Sequence, residues 1–378
     1  MVSKQDLLEI RSRDFLENKD HFGDFDHVTT KLVLGKRPEE PVFLTIILPV
    51  YDHPQEFIRR AIRSALNQPC SYDFQLLVID DYAKQTTPTE TELFLRELNS
   101  DKVAYYKNQQ NLGVFGNWNR AISLSNSTWI SFLHSDDFLQ DHYLENMARI
   151  VNAHPEIDQL CCNYKMLDFL HNEIVPNQEY KGHGGKRRVR RIKPNEYLYQ
   201  MITSVKGSFY KREKLIELGG FRSQGDGLGL DDYPLMLRYA HYYKTYLLED
   251  TLYLNSWGYN DSLNTKHWYP ELIANYYMWL YFAEKENPIS RWFYQKRARH
   301  LLIQRAIAYS DGTSWVGIPI DIDFEALKRD CRLRSLKVNP VAQFIVHQTT
   351  RVLNALKKYP LETFQVELTE SQVPSVVE

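Results

Sequence analysis

An adjacent pair of carboxylates, Asp136 and Asp137, is the feature of this sequence best suited to chemistry. The pair follows an apolar, β-prone run over residues 129–133, and a helix-like segment begins shortly after it. Neighbouring carboxylates repel each other unless a cation or a hydrogen-bond donor lies between them. The pair therefore indicates a site for a cation or a donor. The simpler alternative is that Asp136 caps the next helix and Asp137 is solvated.

Two further polar clusters also follow strand-like runs. Residues 43–50 form an apolar run that ends in Tyr-Asp at 51–52, and residues 74–79 form another that ends in Asp-Asp at 80–81. Ligands of open α/β sheets bind at the carboxyl ends of the strands. Three such clusters at one edge of a sheet predict a nucleotide-sized crevice with an acidic floor.

The elements that position these clusters alternate between strand-like and helix-like patterns. Apolar residues at helical spacing predict a helix that begins near residue 54, between the first two strands, and further strands at 103–106 and 157–164. Strands separated by helices at this spacing imply right-handed βαβ units and a mostly parallel sheet. The predicted fold class is therefore α/β.

The character of the sequence changes on both sides of this region and predicts three segments. Residues 1–42 are polar and mixed in charge, so we interpret them as an N-terminal extension that could act as an oligomerisation arm. Residues 43–265 form the predicted α/β domain, and residues 266–378 a helical, aromatic C-terminal region. Its last part, residues 341–358, is interpreted as a helical appendage that could pack on the core, on a second copy in a homo-oligomer, or on a membrane surface; packing on the core is the simplest interpretation.

The composition excludes several classes of function. The 378 residues carry a net charge of −2, which gives no reason to expect nucleic-acid binding. The four cysteines (Cys70, Cys161, Cys162 and Cys331) form no Cys-x-x-Cys pair and fit buried, reduced thiols. The sequence shows no signal-peptide pattern and no apolar run of about 20 residues. We therefore expect a cytoplasmic protein, either soluble or peripheral at the inner face of the membrane.

Five short motifs, taken in order, resemble those of family 2 glycosyltransferases with the GT-A fold. They lie at residues 44–51 (LTIILPVY), 78–81 (VIDD), 111–113 (NLG), 135–137 (SDD) and 230–232 (LDD). The resemblance extends from about residue 43 to about residue 264. It implies a Rossmann-like, mostly parallel sheet flanked by helices, with a helical C-terminal appendage. The implied reaction is the inverting transfer of a sugar from a nucleotide-diphosphate sugar, a UDP-sugar, to a hydroxyl of a glycan, glycolipid or glycoprotein.

The resemblance assigns donor contacts to five positions of this chain. Val50 and Tyr51, together with Asp81, would hold the uracil or other base. Gly113 and Asn119 would lie against the nucleotide or the donor sugar, where a side chain at Gly113 would obstruct the approach. These assignments predict that the nucleotide crosses the carboxyl ends of the first strands.

The resemblance also assigns the metal and the catalytic base. Asp137 would be the principal ligand of Mg²⁺ or Mn²⁺, and Asp136 would contact the ribose or share the cation. Such a cation neutralises the leaving nucleoside diphosphate. Asp232 would be the general base that deprotonates the acceptor hydroxyl, and Asp231 would orient it, although the two roles could be exchanged.

The sequence departs from the family pattern in three places. His134 replaces an acidic residue that is often not a ligand, so we expect a tolerated variant. Residues 82–83 are Tyr-Ala instead of Gly-Ser, which could alter the base pocket. Tyr259 occupies a position that often offers a histidine to the metal or the diphosphate. Either Asp261 or His267 substitutes for that histidine, or the metal has fewer protein ligands.

Two other functions compete with glycosyl transfer. A sugar-phosphate nucleotidyltransferase would show a glycine-rich basic loop after the first strand, and residues 51–54 (YDHP) are unlike one. A catalytically degenerate domain that binds a nucleotide-sugar or scaffolds an assembly stays open as the alternative. Family resemblance further suggests a bacterial role in polysaccharide biosynthesis or protein glycosylation.

Overall fold

A mixed β-sheet of twelve strands forms the centre of the protein. The computed structural model describes residues 3–81, 88–168, 173–175, 187–198, 204–222, 232–257, 268–314, 318–356 and 363–369. Within these residues the strands are β1 (Thr30–Gly35), β2 (Val42–Val50), β3 (Phe74–Asp80), β4 (Val103–Asn108), β5 (Ser127–Phe132), β6 (Phe138–Leu139), β7 (Gln159–Asp168), β8 (Glu173–Val175), β9 (Arg188–Arg191), β10 (Phe209–Lys211), β11 (Thr245–Trp257) and β12 (Thr363–Gln365).

The strand order is β1-β4-β3-β2-β5-β10-β7-β11-β9-β12, with β6 beside β11 and β8 beside β7. The four neighbours β4, β3, β2 and β5 run parallel to one another, as the βαβ pattern predicted. The other half of the sheet is mixed: β7 and β11 are parallel, whereas β10 is antiparallel to both β5 and β7. The α/β fold class is therefore confirmed, with four adjacent parallel strands in the first half and mixed pairing in the second.

Helices cover both faces of the sheet and connect the parallel strands. In chain order the described helices are α1 (Lys4–Ser12), α2 (Gln55–Leu66), α3 (Glu90–Leu98), α4 (Gly113–Leu124), α5 (Tyr143–Ala153), α6 (Arg212–Glu217), α7 (Asp232–Tyr242), α8 (Trp268–Glu284), α9 (Pro288–Ser310), α10 (Phe324–Asp330) and α11 (Pro340–Leu356). Helix α2 buries the predicted apolar face at Phe57, Ile58, Ala61, Ile62 and Ala65. None of the described helices is both long and apolar enough to cross a membrane.

The N-terminal segment is part of the central sheet. Strand β1 pairs antiparallel with β4, from Thr30 opposite Asn108 to Gly35 opposite Ala104. Helix α1 buries Leu7 and Ile10 in the same apolar core as the C-terminal helices. The boundary predicted at residue 42 therefore divides a single sheet. Strand β1 lies before it and covers the edge of β4, which would otherwise be exposed.

The C-terminal helices pack on the core, as the simplest interpretation predicted. Trp268 and Ile273 of α8 belong to the same buried cluster as Leu7 of α1. The Arg11 side chain donates a hydrogen bond from Nε to the Tyr277 hydroxyl, with an N–O distance of 3.0 Å. Strand β12 follows these helices in the sequence and pairs with β9, so it adds a strand to the sheet. The described part of residues 266–378 is thus joined to the α/β core.

Candidate active site

The carboxyl ends of β3, β2 and β5 lie side by side and gather the predicted polar clusters at one edge of the sheet. Val50 pairs with Asp80 across β2 and β3, and the backbone N–H of Asp81 donates to the Val50 carbonyl at 2.9 Å. On the other side of β2, the Leu133 N–H donates to the Ile47 carbonyl at 2.9 Å. The chain then turns directly into the acidic pair.

The acidic pair is buried and forms a cluster with His134. Asp136 is 4% exposed and Asp137 is 0% exposed, so the solvated interpretation of Asp137 is wrong. Atoms that could bind a metal in His134, Asp136 and Asp137 all lie within 4.8 Å of one another. Burial, aided by the charge of Lys206 and by His53, holds the His134 pKa well below its usual value. The imidazole is therefore neutral, and its buried Nε2 has no hydrogen-bond partner among the described residues.

Three donors surround the carboxylate of Asp137. The Tyr253 hydroxyl donates to Oδ2 at 2.9 Å, and the Ser256 backbone N–H donates to Oδ1 at 2.7 Å. The Lys206 ammonium lies 2.9 Å from Oδ2 and forms a salt bridge. Burial first, and then the adjacent charge of Asp137, raise the pKa of Asp136 to about 7. The two carboxylates therefore differ, because Asp137 is well compensated and Asp136 is less so.

A tight turn positions Lys206 beside the end of β5. Lys206 forms a β-bridge with Phe132, and the next N–H, of Gly207, donates to the Phe132 carbonyl at 3.0 Å. Gly207 has a φ of +68°, and a Cβ at this position would lie 2.6 Å from the Tyr253 ring. Lys206 also donates to the side-chain oxygen of Asn255. Burial alone lowers the Lys206 pKa, but Asp137 and Asp136 outweigh burial and raise it, so the ammonium stays charged.

Arg60 is a second cation that sequence reasoning missed. Its Nη2 donates to the Asp136 carbonyl at 3.0 Å and to the Ser256 hydroxyl at 3.2 Å. Its guanidinium carbon lies 4.4 Å from the centre of the Phe138 ring. Burial lowers the Arg60 pKa to about 10, while the two aspartates oppose that shift. Nothing in the spacing of α2 distinguishes Arg60 from a solvated arginine, so no sequence signal could have found it.

On the side of the crevice predicted to hold the nucleobase, Asp81 organises the turn into α4. Its Oδ1 accepts hydrogen bonds from Asn108 Nδ2 at 2.9 Å and from the Leu112 N–H at 2.8 Å. Asn108 Nδ2 also donates to Asn117 Oδ1 at 2.8 Å. Burial raises the Asp81 pKa to about 6, although these hydrogen bonds oppose the shift. Neither asparagine was a predicted site residue, and both bear on the shape of the crevice.

Three residues predicted to contact the donor, Tyr51, Gly113 and Asn119, lie in different surroundings. Tyr51 is 51% exposed beside the buried Val50. Gly113 has a φ of +71°, and an added Cβ would meet nothing within 4 Å, so open space lies above it. The side-chain amide of Asn119, by contrast, forms two hydrogen bonds with the backbone of Phe221. Its Nδ2 donates to the Phe221 carbonyl at 2.6 Å, and its Oδ1 accepts from the Phe221 N–H at 2.8 Å. Asn119 thus fixes the chain after α6.

The predicted base, Asp232, begins helix α7 and accepts a hydrogen bond from the Tyr233 N–H at 2.7 Å. A half-buried glutamate of α8, Glu271, lies close enough to Asp232 to be affected by its charge. Burial first, and then Asp232, raise the Glu271 pKa to about 7, against the opposing charge of Arg305. The C-terminal helices therefore contribute to the surroundings of the predicted base. Six residues named in the sequence analysis lie outside the described ones: Tyr82, Ala83, Asp231, Tyr259, Asp261 and His267.

This sheet, with its acidic pair at the end of β5, defines a GT-A-type α/β domain. The crystal structure of S. aureus TarS 1–349 in complex with UDP-GlcNAc is similar over 84% of this chain and 93% of that one, with a TM-score of 0.50 and 13% identity. Residues 45–219 match the family model described as "Glycosyl transferase family 2". This part of the chain is therefore similar to family 2 glycosyltransferases.

Two curated relatives are similar over parts of their length. The chain is 27% identical over 121 residues to the putative glycosyltransferase EpsH of Bacillus subtilis, which is 32% of this chain and 33% of EpsH. It is 22% identical over 175 residues to the uncharacterized glycosyltransferase MJ1057 of Methanocaldococcus jannaschii, which is 46% of this chain and 57% of that protein. The chain thus spans between a third and just over half of the length of these relatives.

Proposed function

We propose that this protein transfers a sugar from a UDP-sugar to a hydroxyl of a glycan, glycolipid or glycoprotein acceptor, with inversion at the anomeric carbon. The observation that carries the proposal is the cluster of His134 with the buried Asp136 and Asp137, within the residues that match the family 2 model. A nucleoside diphosphate is a leaving group whose negative charge requires compensation in a dry site. We propose that a cation bound at this cluster, together with Lys206 and Arg60, compensates that charge, and that the nucleobase lies over the same edge of β3, β2 and β5.

The base of the nucleotide is proposed to lie over β2 and the turn into α4. The exposed ring of Tyr51 is available to stack on a base, and Val50 forms an apolar floor beside it. Asp81 is held at this edge by Asn108 and the Leu112 N–H. Gly113 leaves the space above it open. Since the amide of Asn119 is engaged with Phe221, we leave Asn119 out of the proposed donor contacts.

The His134–Asp136–Asp137 cluster fits a divalent cation. Two carboxylates suit Mg²⁺ or Mn²⁺, and an added imidazole favours Mn²⁺ over Mg²⁺. The unpartnered Nε2 of His134 is what such a site requires. Because Asp137 already accepts from Lys206, Tyr253 and Ser256, we propose Asp136 as the principal ligand, with Asp137 sharing the cation. A bound cation would neutralise the charge that develops on the leaving diphosphate.

The residues of this chain supply the proton transfer and part of the charge. Asp232 is proposed to take the proton of the acceptor hydroxyl as its oxygen bonds to the anomeric carbon, while the bond from that carbon to the UDP oxygen breaks. One displacement of this kind inverts the anomeric carbon. Lys206 and Arg60 stay charged near the acidic pair and add positive charge on the diphosphate side.

A thermal-shift panel of nucleotide-sugars, each with Mn²⁺ and with a chelator, tests the proposal. UDP-GlcNAc is the first donor to try, because the structurally similar TarS is described as a complex with it. A true donor raises the melting temperature by mass action, and more strongly with metal present. Release of UDP from that donor, lost in Asp232→Asn while the thermal shift is retained, would support transfer. No shift with any nucleotide-sugar would refute the proposal.

A non-catalytic nucleotide-sugar-binding or scaffolding role is the second candidate. The salt bridge between Lys206 and Asp137 favours it, because a built-in ammonium compensates one carboxylate of the site without a metal. Under this alternative a nucleotide-sugar binds equally well with Mn²⁺ and with chelator, and no UDP is released over long incubation. Metal-dependent release of UDP would exclude it.

A further inference from the structure

Helix α11 has a buried inner face and an exposed apolar outer face. Val346 and Thr350 are 5% and 0% exposed and face inward, where α11 packs on α9. On the outside five large apolar side chains are more than half exposed: Val341, Phe344, Ile345, Val352 and Leu356. At about 100° per residue, these five fall within an arc of roughly 120° opposite the buried pair. A face of this kind is what a binding surface shows, since solvated helix faces are ordinarily polar.

The segment around this face is strongly basic. Residues 331–361 contain no aspartate or glutamate, whereas the whole chain carries a net charge of −2. Four of the basic residues are described and exposed: Arg332, Arg334, Lys337 and Arg351. The sequence continues with two lysines at 357–358. The apolar stripe therefore belongs to a basic segment without acidic residues, whereas the whole chain carries a slight negative charge.

The approach to α11 is anchored to the core. Arg299 of α9 donates from Nη2 to the Ser335 carbonyl at 2.7 Å and to the Lys337 carbonyl at 3.1 Å. Asn339 caps the helix, because its Oδ1 accepts from the Val341 and Ala342 N–H groups at 2.9 and 3.1 Å. The helix and its apolar stripe are thus held in a defined orientation before any partner binds.

We propose that the outer face of α11 binds the surface of an anionic lipid bilayer. A helix with an apolar stripe bordered by lysines and arginines is suited to lie in the interface, with the stripe among the acyl chains and the cations at the headgroups. Charge complementarity favours this occupant over a second copy of the chain, because a symmetric contact through α11 would bring the two basic patches together. The proposal does not depend on the chemistry at Asp136.

Vesicle co-sedimentation of the full chain tests this proposal. We expect binding to vesicles of phosphatidylcholine mixed with phosphatidylglycerol, and about tenfold weaker binding to phosphatidylcholine alone or at high salt. The double variant Phe344→Ser, Ile345→Ser should weaken binding about tenfold or more, because two anchoring side chains are lost. Arg334→Glu with Arg351→Glu should remove the preference for the anionic vesicles.

The matched control is Leu93→Ser with Ile216→Ser, two exposed apolar residues on other helices. It should bind vesicles like the wild type, and all variants should keep the wild-type melting temperature. Vesicle binding that is unchanged by the Phe344 and Ile345 substitutions would overturn the proposal, as would no binding to either vesicle. A dimer in analytical ultracentrifugation that the same double variant converts to a monomer, without vesicle binding, would assign the surface to a second copy instead.

Discussion

Replacing Lys206 by methionine tests the electrostatic account of the acidic pair most directly. Methionine has a similar length but carries no charge, so the substitution removes the ammonium that lies 2.9 Å from Asp137. Tyr253 and Ser256 still donate to Asp137 in the variant. Two adjacent buried carboxylates then have less compensation, and the site should bind a proton or a divalent cation more strongly than in the wild type.

The size of the effect follows from the burial of the pair. Asp137 is 0% exposed and the Lys206 side chain 14% exposed, and loss of one partner from a buried pair costs about 3–5 kcal/mol of unfolding free energy. We expect about 3 kcal/mol in chelator, because two hydrogen bonds to Asp137 remain. Mn²⁺ at about 100 times its Kd would restore about 2.7 kcal/mol. The wild type should gain less from the same Mn²⁺, since Lys206 already neutralises Asp137.

Chemical denaturation with chelator and with Mn²⁺ measures the unfolding free energy and its gain from the metal. Titration calorimetry measures the affinity for Mn²⁺. Lys206→Met should bind Mn²⁺ about tenfold more tightly than the wild type, a difference of about 1.4 kcal/mol. The matched control is Lys211→Met, because Lys211 forms a similar salt bridge at 3.0 Å to Asp158. If Lys206→Met bound Mn²⁺ with the wild-type affinity, or gained no more stability from it, then Lys206 and the cation would not share Asp137.

Three further predictions concern neighbouring residues. Asp232→Asn should lower the rate of UDP release at least about a hundredfold, with a donor Kd within twofold of the wild type, as measured by steady-state kinetics and calorimetry. His134→Ala should weaken Mn²⁺ binding about tenfold and leave Mg²⁺ binding nearly unchanged, because imidazole is the softer ligand; equal losses for both metals would contradict this. The pKa of Asp81 is about 6 in the folded protein and about 3.9 in an unfolded chain. The unfolded state therefore releases its proton first, and Asp81 lowers stability by about 2 kcal/mol as the pH rises from 4 to 6. Asp81→Asn should remove this part of the pH dependence in urea denaturation.

The strands of the first half could be predicted because their signal is local. A parallel strand that is buried on both faces is a continuous apolar run, and the predicted run at 43–50 corresponds to Val42–Val50 in the structure. The run at 74–79 likewise corresponds to Phe74–Asp80. The predicted helix after the first strand corresponds to α2, because its apolar residues all lie on one face.

The parts that escaped prediction depend on pairing between distant residues. Strand β1 contains a half-buried stretch whose role appears only when it lies beside β4. Strand β10 has three residues, too few to form a recognisable pattern, yet it joins the two halves of the sheet. Residues 1–42 were predicted to be an extension for the same reason, since nothing in their sequence specifies a partner about seventy residues away.

The site, too, contains residues that a local motif predicts and a partner from a distant part of the chain that it does not predict. Asp136 and Asp137 are recognisable because they are adjacent and follow a strand. A carboxylate that is 0% exposed cannot stay ionised without a partner, so a buried Asp137 requires a nearby donor or cation. That physical requirement does not say which part of the chain supplies the partner. Lys206 meets it from a turn some seventy residues later, placed there by the bridge to Phe132 and by a glycine at 207 that leaves room for the Tyr253 ring. A motif search therefore finds the acids of such a site, and only the sheet pairing finds the cation that makes their burial possible.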